Sequence, residues 1–233
     1  MKVAIHQPHY LPWLGYLAKW AAADVFVVLD TVQYEKNGWQ NRNRIKTRAG
    51  PGWLTVPVHA SLGTAIKDVR VDQAQPWQRQ HLRAIEHAYA AAPHFARFHA
   101  ELAAFYDRDW PALAPLALAS ATWLATAFGV RTPARLASEL AVTDTDPTGR
   151  LIALCRAVGA DTYLAGRDGV VYMDGSRFAA AGITVRVQAY DHPTYPQMHG
   201  AFESNLSALD LLLNAGEEGA TVLRRGDRWD SPA

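Results

Sequence analysis

The chain opens with Val3-Ala4-Ile5-His6-Gln7-Pro8-His9-Tyr10-Leu11-Pro12-Trp13-Leu14-Gly15-Tyr16, and this stretch sets the architecture of the whole chain. A short apolar run that ends in polar residues and proline is typical of a buried strand followed by a loop. Apolar residues at helical spacing then continue to position 23, and a second apolar run occupies 25–29. The sequence therefore predicts a strand, a helix and a strand, which is one βαβ unit of a parallel sheet.

Polar side chains follow both of these predicted strands. His6, Gln7 and His9 come at the end of the first strand, and Asp30 comes directly after the second. In open α/β sheets the carboxyl ends of the strands line a crevice that binds ligands. We therefore predict His6, His9 and Asp30 as catalytic residues and Gln7 as a substrate-binding residue. The alternative for His6 is a core histidine that a neighbouring carbonyl or Asp30 satisfies.

The segment 31–52 is strongly basic. It contains five cations and a single acid, Glu35, in a chain whose formal net charge is only +1. Amide side chains lie between the cations, and a loop of this kind can hold phosphate or carboxylate groups by charge and hydrogen bonding. The alternative is a solvated surface loop. We predict that this segment supplies six substrate-binding residues, namely Gln33, Asn41, Arg42, Asn43, Arg44 and Lys46.

The remainder of the chain predicts a small hairpin, a group of helices and three more strands. Alternating patterns occur at 53–58 and 66–71, and amphipathic helical patterns occupy 76–128. Four histidines of the helical part have no cluster of acids beside them, so we interpret them as surface or packing residues and expect no metal. Strands are predicted near 132, 163 and 185, and the loops after the last two supply further binding residues, namely Gly166, Tyr172, His192 and Tyr195.

These elements predict an α/β fold. The expected architecture is a doubly wound, mainly parallel five-stranded sheet with an α-helical insertion between the second and third strands. We expect one α/β domain over 1–222, with the insertion at 76–128, and a flexible tail over 223–233. The single cysteine, Cys155, excludes a disulfide within the chain, and its apolar helical surroundings indicate that it is buried.

Several motifs occur in a fixed order along the chain. They are His6-Gln7-Pro8, Pro-Trp-Leu-Gly-Tyr at 12–16, Leu29-Asp30, Gln-Asn-Arg-Asn at 40–43, and further segments at 53–58, 159–166 and 206–216. Together they resemble the WbqC-like family. The resemblance implies an association with bacterial surface-polysaccharide and other biosynthetic gene clusters, and it implies no defined reaction.

The first βαβ unit also resembles, more loosely, the nucleotidylyltransferases of the pantothenate-synthetase type, which bind ATP. In those enzymes a His-x-Gly-His turn follows the first strand, whereas this chain has Tyr-Leu-Pro-Trp at 10–13. Gln33, after the second strand, does fit the pattern. The departure favours a shared architecture over ATP binding. The sequence identifies no cofactor, although ATP or another nucleotide is compatible with it, and it lacks both the Gly-x-Gly-x-x-Gly and the Walker motif.

Three functions are compatible with these features. We favour a biosynthetic transferase or ligase-like enzyme with a histidine general base and a phosphorylated, nucleotide-linked, acyl-activated or carrier-linked substrate. The alternatives are a non-catalytic binding or scaffold protein of such a pathway and a nucleic-acid binder that uses the basic segment at 36–48. The small net charge disfavours nucleic acid as a partner. We expect no membrane partner and a cytoplasmic location, because the chain shows no signal peptide and no apolar run long enough to span a bilayer.

Overall fold

The computed structural model describes residues 1–170 and 173–231. Its strands are β1 (Lys2–His6), β2 (Val25–Val28), β3 (Arg42–Thr47), β4 (Gly50–Thr55), β5 (Val58–His59), β6 (Arg70–Val71), β7 (Ala134–Leu136), β8 (Thr162–Ala165), β9 (Thr184–Gln188) and β10 (Trp229–Asp230). Its α-helices are α1 (Leu14–Ala22), α2 (Trp77–Tyr89), α3 (Phe95–Asp107), α4 (Leu113–Ala127), α5 (Pro147–Ala157), α6 (Arg167–Val170), α7 (Gly175–Ala180), α8 (Ala208–Ala215) and α9 (Gly219–Arg225).

The main sheet has six strands in the order β10-β9-β8-β1-β2-β7 within the described part of the chain. All neighbouring pairs from β9 to β7 are parallel, and β10 pairs antiparallel with β9. The fold is therefore mixed α/β, as predicted. The sequence predicted five strands, and that number is wrong because β10 is only two residues long and gives no periodic signal.

The two faces of the sheet bury separate hydrophobic cores. Val3 and Ile5 of β1 pack in one core with residues of α5 and α7, whereas Ala4 packs in the other with residues of α1, α4 and α8. Every residue of β2 is buried, which is typical of a central parallel strand covered on both sides. Cys155 lies buried in the first of these cores, as the sequence predicted.

The chain between β2 and β7 forms two small antiparallel hairpins and three successive helices. Strands β3 and β4 pair over six residues each, and β5 pairs with β6. Helices α2, α3 and α4 then pack against the same core as α1. The prediction that 31–52 is a loop is corrected over 42–47, which forms β3. Its residues are mostly polar, so the strand has no apolar alternation and takes its place through pairing with β4.

The predicted tail, 223–233, contains regular secondary structure in its described part, which ends at residue 231. Residues 223–225 belong to α9, and β10 follows, with Trp229 opposite Gln188 and Asp230 opposite Val187. The backbone N–H of Ala189 donates to the carbonyl of Arg228. Strand β10 therefore covers the edge of β9. Without β10, the backbone N–H and C=O groups along that edge would be unpaired. Among the described residues, helices are too short or too polar to cross a membrane.

Candidate functional site

The candidate site lies where the strand order of the main sheet reverses. From β1 the chain goes to β2 on one side, while β8, the other neighbour of β1, leads to β9 on the opposite side. Strands β1 and β8 are parallel, so their carboxyl ends meet at the same edge. His6 ends β1, and Gly166 directly follows β8. A reversal of this kind opens the crevice in which α/β proteins bind ligands.

Two imidazoles and a phenol pack together at this edge. The ring centroids of His6 and His9 are 4.7 Å apart with the rings nearly perpendicular. Tyr16, on α1, lies 4.9 Å from His6 and stacks on His9 at 5.0 Å. His9 and Tyr16 are buried, and His6 is partly buried. The three rings therefore hold one another in fixed orientations, which is what a preorganised site requires.

A lysine that the sequence did not single out completes this cluster. Lys19 lies one turn beyond Tyr16 on α1 and is only 2% exposed. A Cβ atom at position 166 would lie 3.2 Å from its Nζ, so the glycine after β8 leaves room for the ammonium group. The signal in the sequence was a lysine between Ala18 and Trp20, on a helix face that is otherwise apolar.

Burial and the charge of Lys19 keep both imidazoles neutral. Burial lowers the pKa of His6 well below 6.5, and the charges of Lys19 and His9 lower it further, while the hydrogen bond with the carbonyl of Gln7 acts in the opposite direction. Burial and then Lys19 lower the pKa of His9 to about 3. Near pH 7 the two rings therefore carry no charge, because desolvation disfavours the imidazolium form.

Hydrogen bonding decides which nitrogen of His6 is the base. Its Nδ1 lies 3.0 Å from the carbonyl oxygen of Gln7, which can only accept, so Nδ1 carries the proton. The Nε2 of the neutral ring is then left with a lone pair. In His9, which is 7% exposed, Nδ1 is buried and has no hydrogen-bond partner among the residues that the structure describes. The partly buried His6, with the lone pair on its Nε2, is therefore the ring that can accept a hydrogen bond from a ligand.

Two hydrogen bonds join the segment before β3 to the loop after β1. The Nε2 of Gln40 donates to the Oε1 of Gln7 at 2.7 Å, and the backbone N–H of Tyr10 donates to the carbonyl of Trp39 at 3.3 Å. Gln40, which the sequence did not single out as a binding residue, is 1% exposed and leaves its own Oε1 without a partner among the described residues. Gln7 thus joins the crevice to the basic segment.

Three of the predicted binding residues in β3 and just before it are buried and hold the protein together. Asn41 Nδ2 donates to the carbonyl of Val56 at 2.8 Å, and Asn43 Nδ2 donates to that of Leu11 at 2.7 Å. Lys46 Nζ donates to Gln197 Oε1 at 3.0 Å and to the carbonyl of Ala201. The Leu11 φ of 43° is unusual for a side chain that is not glycine, so Asn43 anchors a strained turn.

Arg42 and Arg44 are half-buried, and Gln33 is exposed. The guanidinium of Arg42 is 4.2 Å from the centre of the Trp53 ring, and that of Arg44 is 5.7 Å from it. Arg42 also donates to Asn37. The exposed Gln33 forms a backbone bridge with Ala65.

Asp30 is buried in a contact between the ends of two strands. Its Oδ1 and Oδ2 accept hydrogen bonds from the backbone N and the Oγ of Ser138, at 2.9 and 2.6 Å. Ser138 lies two residues beyond the end of β7, so this carboxylate joins the end of β7 to the end of β2. The arrangement accounts for the burial of Asp30 without a substrate, and we assign Asp30 no step in the chemistry of the crevice.

The predicted binding residues after β9 form a second cluster. His192 packs against Tyr195 and Phe202, with ring centroids 6.3 and 5.8 Å away, and burial lowers its pKa. The hydroxyl of Tyr195 donates to Asp210 Oδ1 at 2.9 Å. Tyr172, another predicted binding residue, lies outside the described residues.

The groove between α5 and α7 is separate from the candidate site, and the described residues contain no group of metal ligands. A groove of about 530 Å³ runs between α5 and α7 and is lined by Ile152, Arg156 and Arg177, among others, but by none of the residues of the crevice. No group of three or more His, Cys, Asp or Glu side chains within 1–170 and 173–231 is arranged to hold a metal ion.

Comparison with known proteins shows the family. The chain is 37% identical over 228 residues to the "Uncharacterized protein Rv1507c" of Mycobacterium tuberculosis, a match that covers 96% of this chain and 97% of that protein. No solved structure matches. The model of the WbqC-like protein family matches residues 7–222, from the residue after His6 into α9. The chain therefore belongs to the WbqC-like protein family.

Proposed function

We propose that this protein is a biosynthetic transferase or ligase-like enzyme of bacterial surface-polysaccharide or secondary-metabolite biosynthesis, acting on a phosphorylated, nucleotide-linked or acyl-activated substrate. One observation carries the proposal. His6 is held neutral, with Nδ1 bonded to a carbonyl and Nε2 left as a proton acceptor, at the edge where the strand order reverses. A fixed imidazole that is neutral at working pH has the free lone pair that a general base needs, and its lowered pKa makes it a weaker base than free imidazole.

The proton path is set by this arrangement. Nε2 of His6 takes the proton from a hydroxyl or amine of the acceptor as that group attacks the activated phosphoryl or acyl centre. The bond to the leaving group then breaks, and the proton passes to the leaving group or to water. Lys19, whose charge already acts on both imidazoles, is placed to stabilise negative charge that develops at the reacting centre.

The architecture supports a nucleotide-linked substrate. The parallel strands stand in the order β7-β2-β1-β8-β9, which corresponds to the 3-2-1-4-5 order of doubly wound nucleotide-binding sheets, and helices cover both faces. This order is consistent with a nucleotidylyltransferase-like fold. The chain lacks that group's phosphate-binding turn, so other residues must hold the phosphates.

A thermal-shift panel tests ligand binding. ATP, CTP, a nucleotide sugar and an acyl-CoA are each added to the whole protein, and a ligand at about 100 times its Kd should stabilise it by about 2.7 kcal/mol. Stabilisation by one of these classes supports the enzyme. If none of them raises the Tm, the proposal fails and the non-catalytic scaffold protein becomes the better description.

The His6→Gln variant tests the base. Glutamine can keep the hydrogen bond but cannot accept and return a proton near neutral pH, so the rate should fall by about 10²–10⁴-fold with little change in Tm. Because the pKa of His6 is lowered, the wild-type rate should stay level as the pH falls to 6.5 and decline only below it. The exposed His87→Gln variant is the control and should keep full activity. Full activity in folded His6→Gln would refute the role.

A further inference from the structure

The outer face of the β3–β4 hairpin carries two exposed tryptophans beside two half-buried arginines. We call it the tryptophan-arginine face, and its members are Trp39, Arg42, Arg44 and Trp53. Trp39 is 41% exposed and Trp53 is 47% exposed, with their ring centroids 5.6 Å apart. The two guanidinium groups lie 4.2 and 5.7 Å from the centre of the Trp53 ring.

This exposure is specific to one place on the molecule. The chain has eight tryptophans, all within the described residues, and the two exposed ones meet on this face. The register of the hairpin produces the arrangement, because Arg44 stands opposite Trp53 and Arg42 stands opposite Thr55, while Asn43 and Ile45 point inward and are buried. Large exposed aromatic side chains that gather in one patch indicate a binding surface.

The tryptophan-arginine face adjoins the crevice. Trp39 accepts a backbone hydrogen bond from Tyr10, and its neighbour Gln40 donates to Gln7, the residue after His6. The loop after β1 therefore starts at the catalytic candidate His6 and also holds Trp39. A substrate that extends over this loop can contact both.

The chemistry of the face selects a flat group joined to an anion. Indole rings stack on a nucleobase, and guanidinium groups bind phosphate by charge and paired hydrogen bonds. The guanidinium of Arg44 makes one long hydrogen bond, 3.4 Å from Nη2 to the carbonyl of Asn205, and its buried Nε has no partner among the described residues. Its hydrogen-bonding capacity is therefore largely unused by the protein.

We infer that the tryptophan-arginine face is the subsite for the base and phosphates of a nucleotide-linked substrate whose reacting end lies at His6. The inference rests on the proposed function and names its substrate class. A single-stranded nucleic acid would use the same contacts, but it requires a longer basic groove, and the chain has a net charge of only +1.

Calorimetric titration of the whole protein tests the subsite. The probes are a nucleoside diphosphate such as UDP, CDP or ADP, the matching nucleoside, and pyrophosphate. Trp53→Ala should weaken binding of the diphosphate by about 5- to 150-fold, the range measured for loss of one stacked base, and should leave pyrophosphate binding unchanged. Arg44→Ala should weaken binding of the diphosphate and of pyrophosphate. Arg48→Ala, an exposed arginine at the hairpin turn, is the matched control and should change neither.

Three results would overturn the inference. They are an unchanged diphosphate affinity in Trp53→Ala, loss of that affinity in His6→Gln, and tighter binding of a short single-stranded oligonucleotide with a steep dependence on salt. The proposed function fails separately. Suppose that the diphosphate binds, that Trp53→Ala weakens this binding, and that His6→Gln keeps full turnover. The nucleotide subsite is then supported, and the role of His6 as general base is refuted.

Discussion

His9 combines a buried Nδ1, unpartnered among the described residues, with a pKa of about 3 in the folded protein, and the low pKa makes stability depend on pH. In the unfolded chain the pKa returns to about 6.5, so the unfolded state binds more protons between these two values. A histidine whose folded pKa is depressed contributes stability above pH 6.5 that is lost as the pH falls toward 3. The loss amounts to at most about 1.4 kcal/mol for each pH unit.

We predict that His9→Gln flattens this pH dependence. Glutamine does not titrate, so the free energy of unfolding should decline less between pH 7 and pH 4 than it does in the wild type, as measured by urea unfolding at each pH. His87→Gln, an exposed histidine, should follow the wild-type curve. Parallel curves for His9→Gln and the wild type would contradict the lowered pKa.

At the level of single residues, the sequence pointed to His6, Gln7 and His9 as candidates because they come directly after an apolar run at the start of the chain. Lys19 and Gln40 could not be identified in the same way. Lys19 approaches Gly166 only because β8 pairs with β1, and the two positions are far apart in the sequence. A lysine within an apolar helix face was the one available signal, and it does not name a partner.

Among the elements, β3 is held by contacts that are distant in sequence. The hydroxyl of Tyr89, on α2, accepts the backbone N–H of Lys46 at 2.9 Å and donates to Asp210 Oδ2, on α8, at 2.7 Å. One buried hydroxyl thus joins the hairpin to two helices. Strands β1, β2 and β8 could be predicted because each is an apolar run. The segment of β3 is polar and is held by residues far away in the sequence, so its pattern indicated a loop.

We predict that Tyr89→Phe destabilises the protein more than Tyr195→Phe does. Both changes remove one hydrogen bond to Asp210, but only Tyr89→Phe also leaves the buried N–H of Lys46 without an acceptor. Each buried polar group that loses its partner costs about 1–3 kcal/mol. Urea unfolding at pH 7 provides the comparison, and equal losses in the two variants would show that the tie to Lys46 contributes nothing.

In the molecule as a whole, the inserted helices and the sheet share one core. The cluster that contains Ala4 of β1 also contains Leu102 of α3. Polar contacts join the same parts, since the backbone N–H of Leu11 donates to Ser120 Oγ at 2.9 Å and Tyr10 hydrogen-bonds to His81 at 2.9 Å. His81 is one of the four histidines of the helical part that the sequence indicates as surface or packing residues, and it is buried at this junction.

This shared core predicts that the protein unfolds as a single unit. Leu102→Ala should cost about 2–5 kcal/mol, the usual range for deleting a buried leucine side chain. Tryptophan fluorescence and far-UV circular dichroism should report the same lowered urea midpoint, because Trp77 of the insertion and Trp20 beside the sheet lie in one cluster. Leu154→Ala, in the core on the opposite face of the sheet, is the matched comparison and should also move both signals together. Separate transitions, with each variant shifting only one of them, would show that the inserted helices fold independently of the sheet.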